Sequence, residues 1–135
     1  AALPWKPSVS TASMAAVWTE RILALPGNRR CFDCDVDCAL DPWVSVSHAT
    51  VICIQCAGVH RSFGVHVSYV RSLKLDSIKE SEWQQLLQGG GNEAFSTFLL
   101  NSQCVPRNVW HALPMETRYH TPAADLYRRR LQALA

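Results

Sequence analysis

Apolar residues recur at helical spacing through Met14, Val17, Trp18, Ile22 and Leu25, with Arg21 among them. This period predicts a helix from Ser13, capped by Ser13 and stopped by Pro26-Gly27-Asn28. Trp18 and Leu25 read as packing residues. Residues 1–12 carry Pro4, Pro7 and several small side chains, which predicts a flexible N-terminal tail. Asp41-Pro42-Trp43 reads as a turn, and Thr50, Val51 and Ile52 are the most β-prone part of an unevenly alternating run. A helix of about ten residues is predicted from Cys53 onward, ended by Gly64. Ala57 and Gly58 are small residues inside it, and the helix propensity that Gly58 costs implies close packing against another element. Ser72-Leu73-Lys74-Leu75-Asp76 alternates like a strand. Glu80 to Gln88 reads as a helix with Trp83, Leu86 and Leu87 on one side. Gly89-Gly90-Gly91 breaks it, and Asn92 is expected to cap the next helix, 93–100. Residues 101–118, with Pro106 and Pro114, read as mostly irregular. Thr121 before Pro122 opens a last helix, on which Leu126, Arg130 and Leu134 fall four apart as an apolar face with Arg130 along or beside it.

Length and composition fit this picture. A chain of 135 residues is one domain, or one cut from something longer. With 48% hydrophobic and 18% charged residues it can bury a core, which excludes the disordered class. A net charge of +2 with basic clusters only at Arg29-Arg30 and Arg128-Arg129-Arg130 gives no stripe for nucleic acid. No signal-peptide core and no bilayer-length apolar run is seen, so a secreted context has no support and a cytoplasmic one is expected.

The cysteines change the picture most. Cys31-Phe32-Asp33-Cys34 and Cys53-Ile54-Gln55-Cys56 are two clasps separated by 18 residues. Four thiolates at this spacing suit one tetrahedral, structural Zn2+, and read better as a metal site than as disulfides. Cys104 is left over as a free core or loop cysteine. Cys38, close behind Cys34, could compete for the metal. The expected fold is α+β: a small four-cysteine zinc-finger module, 31–56, with a short β-sheet surrounded by about five helices. Trp43 is expected to cover the metal site, and the ion to be required for folding.

The stretch from His60 to Arg71 concentrates polar chemistry. Ser62 with His60 or His66 could supply part of a hydrolytic site, but no acidic third member is local. Four cysteines would close the zinc shell, leaving no position for a catalytic water. His60 follows Cys56 by four and could replace a cysteine; the plainer reading makes His60 and His66 buried, hydrogen-bonded packing. Arg61, just past a metal-pinned helix turn, could be a fork for phosphate oxygens or half of an ordinary ion pair. Arg71 is expected to brace Arg61 or a backbone carbonyl. The triple glycine lacks the lysine and preceding strand of a nucleotide loop and reads as a turn.

The run from Trp43 through Cys53-x2-Cys56-Ala-Gly58-Val-His60-Arg61-x2-Gly64-x-His66-x-Ser68-x2-Arg71-Ser72 to Leu75-Asp76, with Cys31, Cys34 and Gly90-Gly91-Asn92, resembles the GTPase-activating domain of the Arf-directed family. The likeness covers about residues 14–130, and the domain is placed at 13–135. The Cys31-Phe-Asp-Cys34 start and the ending from Tyr119 to Tyr127 resemble the Golgi branch that works with the COPI coat. The resemblance implies a protein that is not itself an enzyme. It would complete the active site of an Arf-family small GTPase, in its GTP form, with Arg61 as a finger supplied in trans. Cys31, Cys34, Cys53 and Cys56 would hold the zinc, and Trp43, His60, His66, Ser68, Arg71 and Asp76 would support or dock. Contacts with the COPI coat and Golgi membranes would come from regions outside this chain, with no nucleic acid involved. The competing reading is a non-catalytic, zinc-stabilised interaction or coat-adaptor module. The family pattern is not matched throughout. The loop between the clasps is longer than usual by an insertion that holds Cys38. Ala49 stands where the family has glycine, Ser47 where it has asparagine, and its tryptophan after Leu75-Asp76 is missing, with Trp83 a candidate to take over its packing.

Overall fold

A computed structural model describes residues 11–134. The first helix, α1, spans Thr11–Leu23, so Ser13 lies inside it rather than capping it, and two of the residues assigned to the tail are helical. The rest of that tail, 1–10, lies outside the described residues. Three short strands form the sheet: β1 Trp43–Ser45, β2 Thr50–Ile52 and β3 Val70–Ser72, in the order β2-β1-β3 and antiparallel throughout. Trp43 pairs with Ile52 on one side and Ser72 on the other. The expected turn at Trp43 is thus the central strand. The expected strand 72–76 yields only Ser72 to the sheet. After it the chain folds back, Asp76 Oδ2 accepting from Ser72 N at 2.8 Å.

A 3-10 turn, Val46–His48, joins β1 to β2 and ends on Ala49 at φ 51°. Helix α2 spans Ile54–Arg61, α3 Glu80–Gln88, α4 Asn92–Gln103, α5 Arg107–Ala112, α6 Met115–Tyr119 and α7 Pro122–Leu134. That is seven helices among the described residues. Pro106 and Pro114 sit at the N-caps of α5 and α6, so the region expected to be irregular is mostly helical. Proline there gives up a donor that a helix start does not use. Thr121 caps α7 as expected, its hydroxyl accepting from Ala124 N at 3.2 Å. The buried face of α7 is Ala123, Ala124, Tyr127 and Leu131, whereas Leu126 and Leu134 are exposed.

The core is aromatic. Phe32, in the first clasp, stacks on Phe95 at 4.9 Å, and Phe95 stacks on Tyr127 at 4.3 Å. Trp18 of α1 stacks on Trp83 of α3 at 6.0 Å. Asn92 is a cross-brace rather than a cap: Gly91 holds the N-cap position. The buried Asn92 side chain accepts from Val51 N at 2.8 Å, and its amide nitrogen reaches the carbonyls of Gly27, Arg30 and Val51. One asparagine thereby ties the glycine break before α4 to the clasp and to β2.

Candidate functional site: a four-cysteine centre and the helix that follows it

The two clasps are built by different local devices. At the first, Cys31 N donates to Val36 O and Asp35 N donates to Cys31 O, a tight reversal closed by Asp35 at φ 65°. At the second, Cys53 is the N-cap of α2, and its Sγ accepts from Cys56 N at 3.4 Å. Together they place the Sγ atoms of Cys31, Cys34, Cys53 and Cys56 all within 4.8 Å of one another, with Cys34 and Cys53 at 3.6 Å. A zinc ion with Zn–S distances of about 2.3 Å has tetrahedral S···S edges of about 3.8 Å, so the donor set fits one ion. The electrostatics agree. The hydrogen bond from the Cys56 thiol draws Cys31 down to about 5, while burial pushes Cys34 up to about 11. Crowded thiols ionise together only around a cation. Cys38 is outside the set. It is buried, and that burial pushes its thiol up to about 12. Cys104 is exposed and free, as a loop cysteine.

Behind the clasps lies a buried polar chain. His60 on α2 is fully buried, with Nε2 2.7 Å from Asp33 Oδ2 and Nδ1 2.7 Å from Ser68 Oγ. Ser68 Oγ lies 2.7 Å from Ser45 Oγ, which lies 2.7 Å from His48 Nδ1. Arg128 of α7 reaches His48 Nε2 at 3.1 Å. At the other end, Asp33 Oδ1 takes the Tyr119 hydroxyl at 2.7 Å and Arg118 at 3.2 Å. Burial works to raise the Asp33 carboxyl, but the His60, Tyr119 and Arg118 partners overcome it and hold it below its ordinary value. His48 is pushed well below 6.5, first by burial and then by His60 and Arg128. His60 is therefore hydrogen-bonded packing and not a metal ligand.

The remaining predicted residues separate. Arg61 is exposed and makes no ion pair among the described residues; its guanidinium lies 5.1 Å from the Trp43 ring centroid. Trp43 is buried in β1 beneath that arginine. Among the described residues Arg71, in β3, braces neither Arg61 nor a carbonyl: it lies over Tyr69 at 5.0 Å, and its buried Nε has no partner there. His66 is exposed, contrary to the packing reading, and its ring lies against Gly64, whose φ of 92° no other residue adopts readily. Gly58 is also exposed: a Cβ there would meet no atom within 4 Å, so internal packing does not explain it. Asp33, Ser45, His48, Arg118, Tyr119 and Arg128 were not foreseen as a group. The one sequence signal was an acid placed between two ligand cysteines.

A closed four-cysteine centre beside a three-stranded sheet, with the adjoining helix ending in an exposed arginine, defines a small zinc-finger domain. The chain belongs to the ArfGap family: residues 17–134 match its model, described as "Putative GTPase activating protein for Arf". It is 39% identical over 119 residues to mouse ADP-ribosylation factor GTPase-activating protein 3, a match covering 86% of this chain and 21% of that protein. It is 34% identical over 108 residues to the yeast ADP-ribosylation factor GTPase-activating protein GCS1, covering 79% of this chain and 28% of that one. A solved structure from Cryptosporidium parvum, a "putative GTPase activating protein for ADP ribosylation factor", superposes with a TM-score of 0.74 at 27% identity, over 96% of this chain and 98% of that one. The chain thus spans about a fifth of the length of the mouse relative.

Proposed function

We propose that this domain stimulates GTP hydrolysis by an Arf-family small GTPase, with Arg61 entering the partner's site in trans. The observation that carries this reading is the state of Arg61. It sits on the last turn of a helix whose first turn holds two ligand cysteines, and no acid engages it. An ordinary structural ion pair has no carboxylate partner here among the described residues. Its surroundings suit a protein surface. Ile54, Gly58 and Arg61 recur at helical spacing along one side of α2, and all three are exposed. The missing side chain at Gly58 leaves a notch beside the arginine. Leu40 and Leu75, 87% and 77% exposed, leave the end of the sheet at which Trp43 begins β1.

The partner contributes nucleotide, magnesium and the water-orienting residue; this domain contributes charge where the transferring phosphoryl group gathers it. An arginine supplied in trans is worth about 10³–10⁵ in rate. Asp76 and Trp43 shape the ground beneath it, one closing the turn after β3 and the other carrying the guanidinium on its ring. Ser68 anchors the helix through His60. Arg71 on Tyr69 holds the strand alongside, and His66 flanks the exposed loop after Gly64. COPI coat and Golgi membrane contacts belong to regions outside this chain, which place the domain on the cytoplasmic face. No described helix is long and apolar enough to cross a membrane.

Arg61→Lys tests the reading. Lysine keeps the charge over Trp43 but loses the planar fork. The variant should keep its melting temperature and its binding to a GTP-loaded Arf, while single-turnover hydrolysis loses about 10²-fold or more of its stimulation. Near-normal stimulation by R61K would remove Arg61 as the finger, and a wild-type domain that binds GTP-loaded Arf without stimulating hydrolysis would leave the interaction-module reading.

A further inference from the structure

We propose that Gly58 is a docking contact for the GTPase: its missing side chain lets the partner's surface settle onto the backbone of α2 beside Arg61. The proposal rests on the role given to Arg61 above and adds where the partner lies. Glycine is the least favourable residue inside a helix after proline, so its presence in α2 calls for a cause. Two causes can lie within a fold, and neither holds among the described residues. The backbone does not require glycine, because Gly58 is helical and has no positive φ. No neighbour crowds it either, since an added Cβ would meet nothing within 4 Å. What is left is a close approach from outside the domain.

The helix places this position where a partner has to come. Cys56, Ala57 and His60 form the buried face of α2. Gly58 lies near the middle of the opposite arc, with Ile54 and Arg61 to one side of it and Val59 and Ser62 to the other. It precedes Arg61 by three residues, about 4.5 Å along the axis. An arginine that reaches into a partner brings that partner's surface over its own helix, and Gly58 is the backbone one turn back. The flanks suit a close contact. Ile54 and Val59 are exposed apolar side chains. Ser62 keeps low, its hydroxyl turned back to donate to the Val59 carbonyl. A Cβ at position 58 would stand about 1.5 Å above the Cα. A surface seated there would be lifted by about as much and would lose its contact with Ile54 and Val59 on either side.

The test compares wild type with Gly58→Ala, Gly58→Leu and Asn101→Ala, all at one fixed excess of zinc. Asn101 is an exposed position on α4 and serves as the control. Alanine and leucine are better helix formers than glycine, so G58A and G58L should melt about 2–5 °C above wild type, and N101A should also gain. Calorimetric titration with a panel of Arf-family GTPases, loaded with a non-hydrolysable GTP analogue, reads docking, and single-turnover hydrolysis reads stimulation. G58A should weaken binding about 5- to 50-fold and G58L further, while N101A binds as wild type does. Stability and docking thus move in opposite directions at position 58 and only there. Binding by G58A within about twofold of wild type overturns the proposal. So does a G58A variant that melts below wild type, since the glycine then has its reason inside the fold. If the wild type binds the loaded GTPases but stimulates none, the reading of Arg61 fails, while the affinity of G58A still decides the role of Gly58. If it binds none of them, both fail.

Discussion

Ala49 and Gly89 form a matched pair whose exchange can be priced from the geometry. Ala49 ends the 3-10 turn in the left-handed region, at φ 51° and ψ 42°, a conformation that costs an L-residue about 1–2 kcal/mol. It is 2% exposed, so its methyl group contributes about 0.8 kcal/mol of burial. Removing that methyl in Ala49→Gly relieves the first term and loses the second, and the freer unfolded chain takes back about 0.4–1 kcal/mol more, so the net change is near zero. Gly89 has an ordinary helical φ of −65°, and an alanine there would gain about 0.5–1 kcal/mol of helix propensity. Its Cβ, however, would lie 2.3 Å from the Ala49 Cβ. Carbon atoms in contact sit about 3.5–4.0 Å apart, and both of these are fixed to backbone, so α3 must move off the turn by more than an ångström. Overpacking of this kind costs about 1–3 kcal/mol. Gly89→Ala alone should therefore destabilise, and in the Ala49→Gly background it should be neutral or mildly stabilising, a coupling of about 1–3 kcal/mol in a double-mutant cycle. Urea melts at one fixed excess of zinc measure it, since bound metal shifts every apparent stability. Additive single effects, within about 0.5 kcal/mol, would show that the two side chains do not meet and that the turn carrying His48 is placed by something else.

Two further outcomes are expected. Stripping the metal with a strong chelator should unfold the domain, because structural zinc supplies about 10–16 kcal/mol against a total stability of about 5–15 kcal/mol; an unchanged circular dichroism spectrum and melting point would refute this. His48 stays neutral in the fold while the unfolded chain takes up a proton below 6.5, so its contribution is full above that pH and declines by about 1.4 kcal/mol per unit as the pH falls below it. His48→Gln should flatten that slope relative to wild type between pH 6.5 and 5.5 at saturating zinc, and identical slopes would count against a buried neutral ring.

How far the sequence could be read depended on what each signal encodes. Helix α3 was legible at both ends because Trp83 and Leu86 share one face and glycine follows. The zinc set was legible because ligand type and spacing are local properties. Strand β1 was not, since Trp43, Val44 and Ser45 are all buried and show no alternation. The prolines at 106 and 114 read as breakers, yet each opens a short helix. On α7 the leucine spacing misled: Ala123 and Ala124 are too small to weigh in a hydrophobic pattern but allow close approach, while Leu126 and Leu134 stay outside. The polar chain was illegible for a different reason. Its links join residues as far apart as His48 and Arg128, and no local pattern marks a pair that meets only after the fold has closed.

Comparison with the other arginines bears on the role proposed for Arg61. Arg118 is committed to Asp33 and to the carbonyls of Leu113 and His111, and Arg107 to Ser96 and the carbonyl of Phe32. Withdrawing a guanidinium from a buried pair such as Arg118–Asp33 costs about 3–5 kcal/mol, because the acceptors are left behind. Among the described residues Arg61 has only the face of Trp43 to leave, and an exposed cation–π contact is worth about 0.5–1 kcal/mol. A finger that gains 10³–10⁵ in rate supplies about 4–7 kcal/mol at the transition state. A tied arginine would surrender most of that on release, whereas a stacked one keeps nearly all of it. The stacking also limits where the side chain waits, so less freedom is lost on docking. On the proposed reading, rigidity lies in the backbone of α2, held by the clasp at one end and His60 at the other, and looseness is left to the Arg61 side chain that would travel.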